Sequence, residues 1–119
     1  MKWVMIMVAA VALALLAAGC AKGSAATDAF AQCLTDKGVK MYGAYWCPHC
    51  INQKELFGSS FEKVQYVECS LPNRGGQNEV CNDAGINGYP TWEFADGSRV
   101  EGEMSMENIA AKAGCPLGG

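Results

Sequence analysis

The sequence predicts an α/β fold, a central mixed β-sheet flanked by helices, and three observations carry that prediction. Strand-favouring segments at residues 39–45 and 64–68 are separated by a stretch with helix signals. Asp96-Gly97 lies between two further strand-like segments, 91–94 and 98–101, as a hairpin turn. Finally, Trp46-Cys47-Pro48-His49-Cys50 stands where the first apolar strand gives way to a helix.

The chain opens on Lys2 and an unbroken apolar run over residues 3–18, the pattern of a signal peptide. Leu16-Ala17-Ala18-Gly19-Cys20 resembles a bacterial lipobox, with Ala17 where that pattern prefers Leu. The expectation is a lipoprotein-type signal peptide over residues 1–19 and lipidation of Cys20. Ordinary cleavage nearby is one alternative, and an uncleaved anchor is another, because the run is near the lower limit for a membrane span. Residues 20–26, small and flexible, read as a tether. Residues 27–119 then form one domain of about 100 residues, large enough for an adequate core that disulfides would support.

Thr27 is placed to cap a first helix reaching about Lys37, with Phe30, Cys33 and Leu34 as its apolar stripe and Gly38 as its stop. After the strand at 39–45, Cys47 falls at a cap position. Pro48 follows at the first helical position, where a missing N–H is harmless. This helix should run to Phe57 and stop at Gly58. The strand at 64–68 should pair parallel with the first, because a helix intervenes. Residues 72–77 read as a loop and 78–84 as a short helix closed by Gly85. After the hairpin, Ser105 caps a final helix ending near Ala113, before Gly114. Met104 and Met106, near the start of that amphipathic helix, read as packing residues rather than a soft-metal surface.

The chemistry gathers at the Cys-x-x-Cys. A thiol at a helix N-terminus sits beside free backbone N–H groups and the positive end of the helix dipole, which favour the thiolate. Cys47 is therefore the expected nucleophile, and Cys50, one turn further in, the thiol that resolves a mixed disulfide. His49, the only histidine of the chain, adds positive charge beside Cys47 when protonated and would make the disulfide more oxidising. The alternative is a surface histidine without a role. Structural zinc is disfavoured because Cys69 and Cys81 lack the close knuckle spacing. No metal or cofactor is expected.

With Cys20 assigned to lipid, six of the seven cysteines remain, an even number that in an exported chain points to an oxidising compartment. A net charge of −3 without a basic run gives no support for nucleic-acid binding.

The element order helix, strand, helix, strand, helix, hairpin, helix is that of a thioredoxin-like fold lacking its first strand. Five segments carry a closer likeness: Phe30-Ala31-Gln32-Cys33-Leu34, the run from Met41 through Cys50, Gln53-Lys54-Glu55-Leu56-Phe57-Gly58, Tyr66-Val67-Glu68-Cys69, and Gly88-Tyr89-Pro90-Thr91-Trp92. Together they resemble the thioredoxin-like domain fused to bacterial and plant vitamin K epoxide reductase homologues. The likeness covers nearly the whole chain after the leader. It implies disulfide exchange between exported cysteine-containing proteins and a quinone-linked membrane oxidase. No four-helix membrane domain is expected in this chain, so that oxidase would be a separate protein.

The resemblance also implies site residues. Tyr89-Pro90 matches the cis-proline loop facing the active site, which leaves the Tyr89 backbone free to pair with an extended substrate. Trp46 and Pro48 would join Tyr89 and Pro90 in substrate binding. Cys69 and Cys81 match the family's second cysteine pair, either a structural bridge or a second redox couple. Cys33 and Cys115 then remain for each other, a pairing that spacing does not fix.

The resulting expectation is a monomeric thiol-disulfide oxidoreductase, exported to the periplasmic or lumenal face of a bacterial membrane and lipid-anchored there. A disulfide reductase or isomerase is the alternative within the same chemistry. A non-catalytic copper-binding lipoprotein using Cys47 and Cys50 is the alternative from another class.

Overall fold

The computed structural model describes residues 23–118. The leader, the tether as far as Lys22, and Cys20 lie outside the described residues, and so do the readings made on them. Among the described residues no helix is long and apolar enough to cross a membrane.

The first helix, α1, spans Ala25–Asp36. Its cap is Ser24, not Thr27: the Ser24 side chain accepts from Thr27 N at 3.0 Å, so Thr27 sits inside the first turn. Ala25 and Ala26, read from sequence as tether, are therefore helical. Strand β1 is Lys40–Gly43, shorter than the predicted 39–45, because the chain turns at Ala44, whose carbonyl accepts from Cys47 N at 3.1 Å. Helix α2, Pro48–Phe57, begins at Pro48 with Cys47 as N-cap. Gly58 ends it with φ 58, a conformation that only glycine adopts freely. A 3-10 segment, Gly58–Lys63, follows that no sequence signal announced.

Strand β2, Gln65–Glu68, pairs parallel with β1. A 3-10 turn at Pro72–Arg74 and the short helix α3, Glu79–Asp83, lead to strands β3, Thr91–Glu93, and β4, Arg99–Glu101. The Asp96-Gly97 turn is tied by Asp96 Oδ1, which accepts from Ser98 N at 2.9 Å. Helix α4, Met106–Ala113, is capped by Ser105 and closed by Gly114 in the left-handed region.

The sheet order is β2-β1-β3-β4, with β1–β3 and β3–β4 antiparallel. Alternation along β1 divides the core. Met41, opposite Trp92, lies in the main cluster with Phe30 and Leu34 of α1, Phe57 of α2 and Ile109 of α4. Tyr42 faces the other way, into a smaller cluster with Cys69, Cys81 and Ile86. Both faces of β1 are covered, and the C-terminal end of this central strand delivers the chain to Cys47.

Two disulfides cross-link these elements. Cys33–Cys115 joins α1 to the segment after α4, and Cys69–Cys81 joins the end of β2 to α3. Cys69 and Cys81 are thus bound to one another and not available as metal ligands.

Candidate active site

Cys47 and Cys50 are free thiols at the start of α2. Both cysteines are buried, but Cys47 retains 8% of its surface and Cys50 none, so the first is the more accessible of the two. Burial, helped by the nearby Cys47 and opposed by the Ala44 backbone and the Lys54 ammonium, pushes the Cys50 thiol up to about 11. Cys50 therefore holds its proton at neutral pH.

Below Cys50 the sheet is made of glycine for a steric reason. A methyl placed on Gly43 would lie 2.8 Å from Cys50 Sγ and 3.1 Å from the Tyr66 ring. Tyr66 comes up beside the same space from β2, and its hydroxyl donates to Glu68 Oε1 at 3.0 Å. Burial and then the Glu68 carboxylate drive the Tyr66 hydroxyl strongly towards its protonated form. The other oxygen of Glu68 accepts from Tyr45 N at 3.2 Å and Ser70 N at 3.0 Å. One carboxylate thus joins the turn leading into Cys47 to the loop after β2.

The wall facing Cys47 comes from the segment before β3. The Tyr89–Pro90 peptide is cis, and Pro90 is buried. Cys47 Sγ lies 3.8 Å from the Tyr89 carbonyl oxygen. Trp46 meets the Tyr89 ring edge-on, with centroids 6.1 Å apart. Thr91 Oγ1 donates to the Gly88 carbonyl at 2.7 Å and fixes the loop from within. Trp46, Cys47, Tyr89 and Pro90 are therefore brought together, with Pro48 exposed beside them at the start of α2.

His49 projects outward and pairs with Glu103, Nδ1 to Oε2 at 3.3 Å. Its neighbour on the surface is a carboxylate, which offsets part of any positive charge it carries towards Cys47.

Three polar residues that motif reading did not single out hold this arrangement. Gln53 is fully buried: its Oε1 accepts from Trp92 Nε1 at 3.2 Å and Met104 N at 2.7 Å, and its Nε2 donates to Met104 O at 3.0 Å. It stands three residues after Cys50, on the same face of α2, and a polar residue on a helix's inner face is the signal that marks it. Ser70 accepts from Trp46 Nε1 at 2.8 Å, and Gln77 accepts from the Tyr89 hydroxyl. Both belong to the loop closed by Cys69–Cys81, so this disulfide, outside the reacting pair, braces the two aromatic residues of the wall.

No family model matches the sequence. The chain is 40% identical over 93 residues to the thiol-disulfide oxidoreductase LTO1 of Arabidopsis thaliana, a match covering 75% of this chain and 24% of that protein. It is 35% identical over 85 residues to protein disulfide isomerase-like 2-2 of Oryza sativa subsp. japonica, covering 63% of this chain and 23% of that one. The chain has a thioredoxin-like fold. The match spans about a quarter of the length of these curated relatives. Within this thioredoxin-like domain the cysteine pair follows the end of the central strand, Cys47 retaining a little surface against a backbone carbonyl and Cys50 retaining none. That arrangement suits a thiol that attacks or is attacked and a second that remains protonated until a mixed disulfide calls on it.

Proposed function

We propose that this chain is a thiol-disulfide oxidoreductase that passes disulfides to exported cysteine-containing proteins, with Cys47 as the sulfur that exchanges with substrate, the nucleophile in the reducing direction, and Cys50 as the thiol that resolves a mixed disulfide when no second substrate thiol does. The observation that carries the reading is the asymmetry of the pair: Cys47 is the helix N-cap, partly open and 3.8 Å from the Tyr89 carbonyl, while Cys50 is sealed one turn deeper. The relatives named for thiol-disulfide oxidation and isomerisation support the same chemistry.

In the oxidised protein, a substrate thiolate attacks Cys47 Sγ. The substrate–Cys47 bond forms, the Cys47–Cys50 bond breaks, and the electron pair and a proton settle on Cys50. A second substrate thiolate then attacks the substrate sulfur of the mixed disulfide and releases Cys47 as thiolate. The substrate loses two electrons, and Cys47 and Cys50 hold them as a dithiol.

Reoxidation falls to a separate quinone-linked membrane oxidase of the vitamin K epoxide reductase type. Residues 1–19 direct export, and a lipid on Cys20 holds the monomeric domain at the periplasmic or lumenal membrane face, raising its concentration near that oxidase. Trp46, Pro48, Tyr89 and Pro90 receive the substrate.

The test is turnover of a reduced two-cysteine peptide by the full-length protein in a glutathione-disulfide buffer containing a chelator. Catalytic oxidation without metal is the expected result. Stoichiometric copper on the purified protein before chelator is added, with no turnover in the assay, would replace this reading by a metal carrier. The reduction potential of the pair then fixes the direction: a value well below that of the peptide would make the protein a reductase.

A further inference from the structure

The loop braced by Cys69–Cys81 carries a cation, Arg74, to the edge of the active site, and among the described residues it has no ion-pair partner. Asn73 and Arg74 both take left-handed backbone conformations, φ 57, and Arg74 N donates to the Tyr45 hydroxyl at 3.2 Å. This turn lays the guanidinium over Trp46, 4.4 Å from its ring centroid, and Trp46 is the residue before Cys47. The contact with the indole face restrains the guanidinium and still allows its N–H donors to meet a further acceptor.

Among the described residues no carboxylate pairs with that guanidinium; the ion pairs belong to Lys40, His49 and Arg99. Glu68, the acidic group nearest along the adjoining strand, is engaged by Tyr45 N, Ser70 N and the Tyr66 hydroxyl. Glu103, near the start of α2, is occupied by His49. Arg74 is exposed, with Tyr45 and Leu71 exposed beside it. A guanidinium held over the indole, exposed and without an ion-pair partner among the described residues, can take a carboxylate through two parallel hydrogen bonds.

We propose that Arg74 is a specificity-determining residue that binds an acidic side chain close to the reacting cysteine of an extended peptide substrate. The proposal rests on the thiol-disulfide reading above. Trp46 connects the two positions: its ring meets Tyr89, whose carbonyl adjoins Cys47, and its face carries Arg74. An extended chain advances about 3.3 Å per residue, so a side chain one or two positions from the substrate cysteine reaches across the indole.

The test uses the full-length oxidised protein and three reduced two-cysteine peptides, identical except that the first cysteine is flanked by Glu, Gln or Lys. Each oxidation rate is divided by that peptide's rate with 2-hydroxyethyl disulfide, which removes the effect of the flanking charge on the thiol itself. The wild-type protein should favour the Glu peptide over the Lys peptide by roughly two- to fivefold, the scale of one exposed ion pair, and the preference should fade at high salt. Arg74→Gln should bring the ratio close to one, and Arg74→Glu should invert it. Equal normalised rates in the wild type, or an unchanged ratio in Arg74→Glu, would make Arg74 a cover for Trp46 and nothing more. If the wild-type protein oxidises none of the three peptides, including the Gln peptide, the thiol-disulfide reading itself fails and this proposal falls with it.

Discussion

Gly43 lies against Cys50 so closely that its missing side chain defines the floor of the redox site. An added methyl would stand 2.8 Å from the sulfur, inside any real carbon–sulfur contact, and 3.1 Å from the Tyr66 ring. Both neighbours are held, Cys50 by α2 and Tyr66 by its bond to Glu68. Gly43→Ala should therefore destabilise the protein by about 1–3 kcal/mol, the usual scale of overpacking, and slow disulfide exchange in whatever remains folded. Chemical denaturation and peptide oxidation measure the two effects; a neutral substitution would mean that the floor yields.

The two thiols should differ sharply towards a small alkylating reagent. Cys47 is partly open, whereas Cys50 is closed and its thiol is pushed up to about 11. Limiting iodoacetamide at pH 8 should label Cys47 and leave Cys50 free, as read by peptide mass spectrometry. The same shift has a stability consequence for the reduced protein. Between the ordinary thiol value of 9.0 and about 11, the unfolded chain releases the Cys50 proton while the folded chain keeps it. The contribution is complete below that window and is lost as pH rises through it. The stability advantage of reduced wild type over Cys50→Ala should shrink from pH 9 to 11.

The two disulfides should separate stability from rate. On loop entropy alone, removing Cys33–Cys115, which closes a long loop, should cost about 4.5 kcal/mol, and removing Cys69–Cys81, which closes a short one, about 3 kcal/mol. Only the second loop contains Ser70 and Gln77, which hold Trp46 and Tyr89. Paired Cys→Ser variants should thus rank one way in denaturation and the opposite way in peptide oxidation. A loss of rate that tracks stability alone would show that the loop brace is irrelevant.

His49 and Glu103 should act on the reduction potential in opposite directions. A protonated His49 favours the Cys47 thiolate and so the reduced form, and the Glu103 carboxylate at 3.3 Å opposes that influence. His49→Gln should make the disulfide less oxidising, and Glu103→Gln more so. Equilibration against glutathione measures both; a potential unmoved by either change would leave His49 as a surface residue.

Much of this fold was legible from local signals. Pro48 after Cys47, Gly58 after Phe57, Asp96-Gly97 and Ser105 each mark a boundary through backbone chemistry confined to a few residues, and the elements fall at those boundaries. The start of α1 was misread because Ser24 and Thr27 carry equivalent capping groups, and only the fold decides which hydroxyl meets which N–H. The sulfur pair announced itself by spacing. Glu68, Gln53, Ser70, Gln77 and Arg74 did not, because each acts on a partner far along the chain: Gln53 on Trp92 and Met104, Gln77 on Tyr89, Arg74 on Trp46. Parallel pairing of β2 with β1, and the return of the chain to Tyr89, create those contacts.

The central claim, that Cys47 reacts with substrate and Cys50 resolves the product, is tested most directly by trapping. Cys50→Ser and Cys47→Ser variants of the full-length protein, each incubated with the same mixed-disulfide-forming peptide, would be resolved on non-reducing gels and by mass spectrometry. Because Cys47 retains some surface and Cys50 none, Cys50→Ser should accumulate a stable peptide adduct at Cys47 while Cys47→Ser accumulates little or none. Equal adducts on the two variants, or an adduct only on Cys50, would contradict the account.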